Sequence, residues 1–437
     1  MQDLNLRELE EAKELLIRYC GDFSSFIADT ASGSYMYDPK GKAVLDFTSG
    51  QMCSVFGHNH PKVLEALKHS GEKAIHLLSS ILSPPVLELA KKLINILPEN
   101  LSRCIFLNTG SESNEVAIRM AKLVTGGFEI VGFSGSWHGM TAGAQSYTYS
   151  KTRKGYGPAI AGSLMLPAPY EYRCPIEHCK GSCDNTCLEV GMKMVDQQSV
   201  GEYAALIAEP LLSAAGIIEL KGSYVTRLKE LCDERGLFLI FDEAQTALGR
   251  LGLNFAFEDY PVLPDFLTLS KTLGGGLPLA ATITSREIEE ECYNKGFIYM
   301  TSHVSDPFCA TFGLTALQIL MEDKMAERAQ KMGSYLKKQL LELQSRHECI
   351  GDVRGKGLLL GLEIVKNRET KAANVGLGNT ISDRCLELGL NMNIVRMKGY
   401  GGVFRIAPPL TITKDEIDIG IGILDQAIED CTLNKKH

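Results

Sequence analysis

LFLIFDEAQT (237–246), followed by DFLTLSK (265–271), decides the fold. Each begins as a short apolar run and ends on a charge, Asp242 after LFLIF and Lys271 after DFLTLS. Runs of this length, bounded by polar residues, predict buried strands. Working outward, RCIFLN (103–108), EIVGF (129–133), AALIAE (204–209) and LAATIT (279–284) read the same way, and SESNEVAIRMAKLV (111–124) has a helical period. Strands separated by helices imply an α/β fold with a mostly parallel central sheet covered on both faces.

Beyond residue 310 the pattern changes to long helices (TALQILMEDKMAERAQKMGSYLKKQLLEL), then a β-rich stretch over 350–365 and a strand near 403–406. We expect a smaller α+β domain there. The first sixty residues, with the hairpin SYMYDPKGKAVLDF, are expected to pack with it. The division is then 1–60, a large domain over 61–309, and 310–437.

The chain's 437 residues suit a large domain with a smaller companion. A net charge of −8 argues against a nucleic-acid or anionic-membrane partner, because both need a basic face. No apolar run approaches the roughly 20 residues that cross a bilayer. The acidic start, MQDLNLRELEEAKELL, has no charged-then-apolar leader, so the expected location is cytoplasmic.

Ligands of open parallel sheets sit beyond the carboxyl ends of the strands. Four such ends carry chemistry. Asp242 follows five apolar residues, where a carboxylate is costly unless a cation pairs with it. It suits a protonated pyridine nitrogen, although a helix N-cap with Gln245 at N3 is the commoner use of such a residue. Lys271, beside GGG, is either a solvated surface lysine or a desolvated amine with a function. Thr109–Ser113 (TGSES) opens a helix, so the N–H groups of Gly110 and Ser111 suit a phosphate, or simply form a capped turn. Trp137, the one tryptophan, is either core or a stacking surface beside His138–Gly139.

FDEAQTALGR (241–250) and LSKTLGGGLPLAA (269–281) resemble the aspartate and lysine motifs of the class III (ω-type) aminotransferases, enzymes that use pyridoxal phosphate. LDFTSGQM (45–52), IRMAKLVTG (118–126), SWHGMT (136–141), SHVSDP (302–307), GDVRGKGLLLGLEIVK (351–366) and GGVFRIAPPLT (401–411) are similar to the branch that decarboxylates 2,2-dialkylglycines. The resemblance spans about 15–427. It implies the type I fold of pyridoxal phosphate enzymes, and a reaction in which 2-aminoisobutyrate or a like amino acid loses CO2 and pyruvate recovers the amino group as L-alanine. An aminotransferase without decarboxylation is the alternative. A non-catalytic metal or redox sensor is a third, disfavoured by the intact Lys271, Asp242 and Arg405.

Residue by residue, the resemblance implies that Lys271 carries the cofactor through its amine and moves protons. Asp242 pairs with the ring nitrogen, Gln245 meets the ring's 3-oxygen, Trp137 stacks on the ring and Glu209 sits near it. Gly110 and Ser111 hold the phosphate with Ser302 of a neighbouring subunit, in a homodimer that could pair further into a tetramer. Arg405 clamps a substrate carboxylate, while Gln51 and Met52 line the pocket near the departing carboxylate. Ala214 stands where the decarboxylating branch has serine, which makes the pocket more apolar. The resemblance also implies a potassium or sodium ion at Leu77, Ser79, Ser302, Val304 and Asp306. A second alkali site would lie around Ile94, Leu97, Pro98 and Leu101, with Leu97 replacing a usual hydroxyl.

Finally, Cys174, Cys179, Cys183 and Cys187 crowd an insertion, CPIEHCKGSCDNTC (174–187). Four thiolates that close suit zinc, ahead of an iron–sulfur cluster, and unligated thiols remain the plain alternative.

Overall fold

The computed structural model describes residues 3–19, 21–150, 153–174, 176, 183–394 and 402–433. Its largest sheet has seven strands, in spatial order Arg103–Leu107, Ala280–Thr284, Phe266–Leu269, Phe238–Asp242, Tyr203–Ala208, Glu129–Phe133 and Ser163–Leu166. Ala280–Thr284 runs antiparallel to both neighbours, and every other pairing is parallel. The strands are buried along nearly their whole length, as a sheet covered on both faces requires.

Helix Gly110–Thr125 packs against five strands of this sheet. A capping box starts it: the Thr109 hydroxyl accepts from Glu112 N–H, and the Glu112 carboxylate accepts from Thr109 N–H at 2.9 Å. Gly126, with φ of 77°, ends it in the left-handed region. The box uses side chains of Thr109 and Glu112 and leaves the first helical N–H groups, at Gly110 and Ser111, on the cavity described below.

A four-stranded antiparallel sheet follows in the last third of the chain, in the order Ile350–Lys356, Leu359–Ile364, Val403–Ile406, Asn393–Ile394. A further sheet joins Thr30–Ser32, Tyr35–Tyr37 and Ala43–Asp46 to Leu390–Asn391, so the N-terminal hairpin is tied to the C-terminal third through backbone pairing. The long helical stretch expected after 310 is two helices, Pro307–Glu322 and Met325–Arg346, broken where Lys324 takes a φ of 49°. Among the described residues no helix is long and apolar enough to cross a membrane.

Candidate active site

The carboxyl ends of the parallel strands bring the expected residues together. Gly110, Ser111, Trp137, Asp242 and Lys271 line one cavity of about 380 Å3, with Asn114, His138 and Cys53. Asp242 ends its strand and is buried, and no helix begins there, so the N-cap use of this residue is set aside. Its Oδ2 accepts from Asn114 Nδ2 at 2.8 Å and from His138 Nδ1 at 2.9 Å, and its Oδ1 accepts from Ala244 N–H at 3.1 Å. Burial raises the carboxyl's proton affinity, but the bonds from His138, Ala244 and Asn114 outweigh it and hold Asp242 below the usual carboxylate range. Thr268 completes the set by donating to Asn114 Oδ1 at 2.7 Å.

Lys271 follows the neighbouring strand with a φ of 43°, in the left-handed region. A non-glycine residue there costs of order 1–3 kcal/mol and is held only by its surroundings. Desolvation pushes the Lys271 amine down, against the opposing charges of Asp242, Cys53 and Glu209. A neutral amine is the form that attacks a carbonyl.

These residues fit pyridoxal phosphate. Among the described residues Asp242 Oδ1 takes one donor and retains capacity for another, and Gln245 Oε1 is buried without a partner. The backbone at the helix start is cradled closely. A Cβ on Gly110 would lie 3.3 Å from Ser270 Cβ, and one on Gly139 would lie 1.9 Å from Ser111 Oγ. That hydroxyl accepts from Met140 N–H at 3.0 Å.

Arg405 and Ala214 line a second cavity, of about 820 Å3, with Ser213, Tyr149 and Val403. Arg405 stands across from Asn393 in the antiparallel sheet, and its Nη2 donates to Asn393 Oδ1 at 3.1 Å. Its Nε is buried with no partner, and desolvation brings the guanidinium down to about 10, with Glu209 acting against it. Glu209 joins the two cavities: Oε1 accepts from Trp137 N–H at 2.8 Å and Oε2 from Ser213 N–H at 3.2 Å. Burial pushes the Glu209 carboxyl up to about 7.

Several expected residues lie elsewhere. Met52 is 3% exposed and packs with Leu211, Ile217, Leu251 and Ala407, so its side chain is core rather than pocket lining. Gln51 is exposed, and it is Cys53, two residues on, that lines the Lys271 cavity. Ser302 is exposed. At the alkali position, each oxygen of Asp306 has one imidazole partner, His76 Nδ1 at 2.8 Å and His303 Nδ1 at 2.5 Å, while Ser79 Oγ donates to Thr301 O at 3.2 Å. In the second alkali region the carbonyls of Ile94 and Pro98 accept from Leu97 and Leu101 N–H, at 3.1 and 2.9 Å. Cys179 lies outside the described residues. Among the described ones, His76, His303 and Asp306 form the one group of three or more such side chains with ligand atoms within 4.8 Å, so Cys174, Cys183 and Cys187 do not converge on a zinc site.

Asn114 and His138 were not legible as partners of Asp242. Their signals were a polar residue on the apolar face of NEVAIRMA and a histidine beside the lone tryptophan.

The family model described as "Aminotransferase class-III" matches residues 21–428. An uncharacterized aminotransferase of Schizosaccharomyces pombe is 48% identical over 419 residues, covering 96% of this chain and 94% of that one. The crystal structure of a Bacillus anthracis aminotransferase superimposes with a TM-score of 0.91 at 29% identity, covering 98% of this chain and 100% of that one. An amine transaminase from an uncultivated Pseudomonas species, in its pyridoxal phosphate-bound form, does so with a TM-score of 0.87 at 27% identity, covering 94% and 96%.

Proposed function

The chain belongs to the class III aminotransferase family, and from that premise we propose that it moves an amino group between an amino acid and a 2-oxo acid, with L-alanine and pyruvate as one pair. Arg405 carries the reading. A buried guanidinium with an unpartnered Nε, beside a roomy cavity, suits a substrate carboxylate gripped by two parallel N–H bonds. Pyridoxal phosphate, the cofactor expected of the family, supplies an electron-accepting ring when bound.

The protein's own share is orientation and proton handling. Gly110 and Ser111 receive the phosphate at the positive end of their helix, and Trp137 covers a ring face. Asp242, kept ionised by His138 and Asn114, holds a proton on the ring nitrogen. Gln245 offers a hydrogen bond at the ring edge. Lys271 would anchor the cofactor through its amine, and the same amine would hold and move the proton of the substrate's α-carbon. Exposed Ser302 completes the phosphate site of a second copy, so the working unit is a dimer.

A second reading, decarboxylation of a 2,2-dialkylglycine such as 2-aminoisobutyrate with pyruvate as acceptor, is favoured by the loop 48–52. Its backbone is fixed in an unusual conformation next to Cys53, which lines the Lys271 cavity. On that reading Gln51, exposed on this loop two residues before Cys53, is the candidate donor to the departing carboxylate.

The test is to incubate the loaded protein with L-alanine and with 2-aminoisobutyrate, each with a 2-oxo acid, and to score amino-group transfer and CO2 together. Transfer from alanine without CO2 supports the first reading, and CO2 from 2-aminoisobutyrate supports the second. Neither product from either donor contradicts both.

A further inference from the structure

Ser49–Met52 carries three residues with positive φ: Ser49 at 49°, Gly50 at 62° and Met52 at 61°. Such a backbone persists only where its surroundings over-determine it. Two buried charges of opposite sign do so here, from two sides.

Asp46 is the first. It accepts from the N–H groups of Thr48 and Gly50 at 2.9 and 2.8 Å, the Thr48 hydroxyl at 2.5 Å, His58 Nε2 at 2.9 Å and Asn391 Nδ2 at 2.9 Å. Arg250 is the second, and it is wholly buried. Its Nη1 donates to Pro408 O at 2.5 Å and Leu358 O at 3.2 Å, and its Nη2 to Ser49 Oγ at 3.4 Å. Ser49 Oγ in turn donates to Ala407 O at 2.5 Å. The backbone repeats the link, with Ala407 N–H on Phe47 O at 2.8 Å and Leu410 N–H on Val55 O at 2.7 Å.

Among the described residues Arg250 forms no ion pair, and its Nε has no partner. A buried guanidinium held by two carbonyls and one hydroxyl, with no carboxylate, is an expensive way to fill space. What it joins is specific. Ser49 lies two residues before Gln51, and Ala407 and Pro408 directly follow the strand that carries Arg405. A planar fork reaches both at once, which an ammonium does not.

We propose that Arg250 is a positioning residue that locks the loop 49–52 against the strand of Arg405. It thereby fixes where the Arg405 guanidinium stands relative to the Cys53 wall of the Lys271 cavity, and so where the substrate carboxylate is held. The inference rests on the reading of Arg405 as the carboxylate anchor.

Two variants test it in the cofactor-loaded enzyme. Arg250→Lys keeps the charge and loses the fork, and Ser49→Ala removes the bridging hydroxyl while leaving Arg250 and its two carbonyl partners in place. Two readouts are needed. One is kcat and KM for L-alanine against a primary amine without a carboxylate. The other is the rate at which iodoacetamide alkylates Cys53, followed by peptide mass spectrometry.

Both variants should raise KM for alanine by about 10-fold or more, leave the amine within about 3-fold, and speed Cys53 alkylation by about 5-fold. Equal losses for alanine and amine with Cys53 unchanged would overturn the proposal, since a merely structural residue gives that pattern. If Arg250→Lys does not fold, Ser49→Ala decides alone. Cys53 alkylation needs no turnover, so a wild-type enzyme inactive on amino acids sinks the functional reading while the lock is still judged.

Discussion

His138 and Asp242 are joined from Nδ1 to Oδ2 at 2.9 Å, both side chains are buried, and the same oxygen takes Asn114 at 2.8 Å. On the proposed reading, the pair would set the charge that the cofactor's ring nitrogen meets. A hydrogen bond to an ionised group is worth about 1.5–3 kcal/mol. His138→Ala should therefore lower kcat by about 10- to 100-fold and weaken cofactor binding. Steady-state kinetics with titrated pyridoxal phosphate checks this, and wild-type values for both would remove His138 from the site.

Arg405→Lys replaces a fork by a point charge. KM for amino-acid donors should rise by about 10- to 100-fold, while an amine without a carboxylate is used as before. A parallel loss for both donors would mean that Arg405 supports the sheet rather than the substrate.

Gly139, at a φ of 128°, leaves room for Ser111, whose hydroxyl a Cβ would meet at 1.9 Å. Gly139→Ala should push the helix start away from the phosphate and weaken cofactor affinity by about 10-fold, as expected for a core clash of 1–3 kcal/mol. Fluorescence titration of the apoprotein measures it. Unchanged affinity would place the phosphate elsewhere.

Glu243 is buried and accepts from Ala256 N–H at 2.7 Å, Phe257 N–H at 2.9 Å and Thr246 Oγ1 at 3.0 Å. Burial nevertheless lifts its carboxyl to about 7. A folded-state value above the unfolded one of about 4.3 means that the folded chain binds more protons between the two. Glu243's contribution is full below about pH 4.3 and is lost as pH rises through 7. The stability advantage of wild type over Glu243→Gln should shrink between pH 5 and 8 in urea unfolding. An advantage that grows would reverse the sign.

Six of the seven strands of the large sheet were legible because each is a short apolar run, and these six lie within a residue or so of where the sequence placed them, whereas the edge strand Ser163–Leu166 was missed. Asp242 and Lys271 stood out because a charge directly after such a run is unusual. What the sequence hid was pairing across long separations. Asn114, 128 residues from Asp242, reaches it because the helix Gly110–Thr125 packs on the sheet. Asp46 and Arg250 could not be seen as a clamp, because half of their partners are backbone groups that carry no residue-type signal and others, such as Asn391 and Ser49, lie hundreds of residues away in the chain. Met52 was misplaced for a related reason: a φ of 61° turns its side chain from the loop surface into the core.

The most direct test of the account is borohydride reduction of the loaded protein, followed by peptide mass spectrometry. The cofactor should be found fixed to the peptide containing Lys271, with the label and amino-group transfer both lost in Lys271→Ala. A label on another lysine, or transfer that survives in Lys271→Ala, would contradict it.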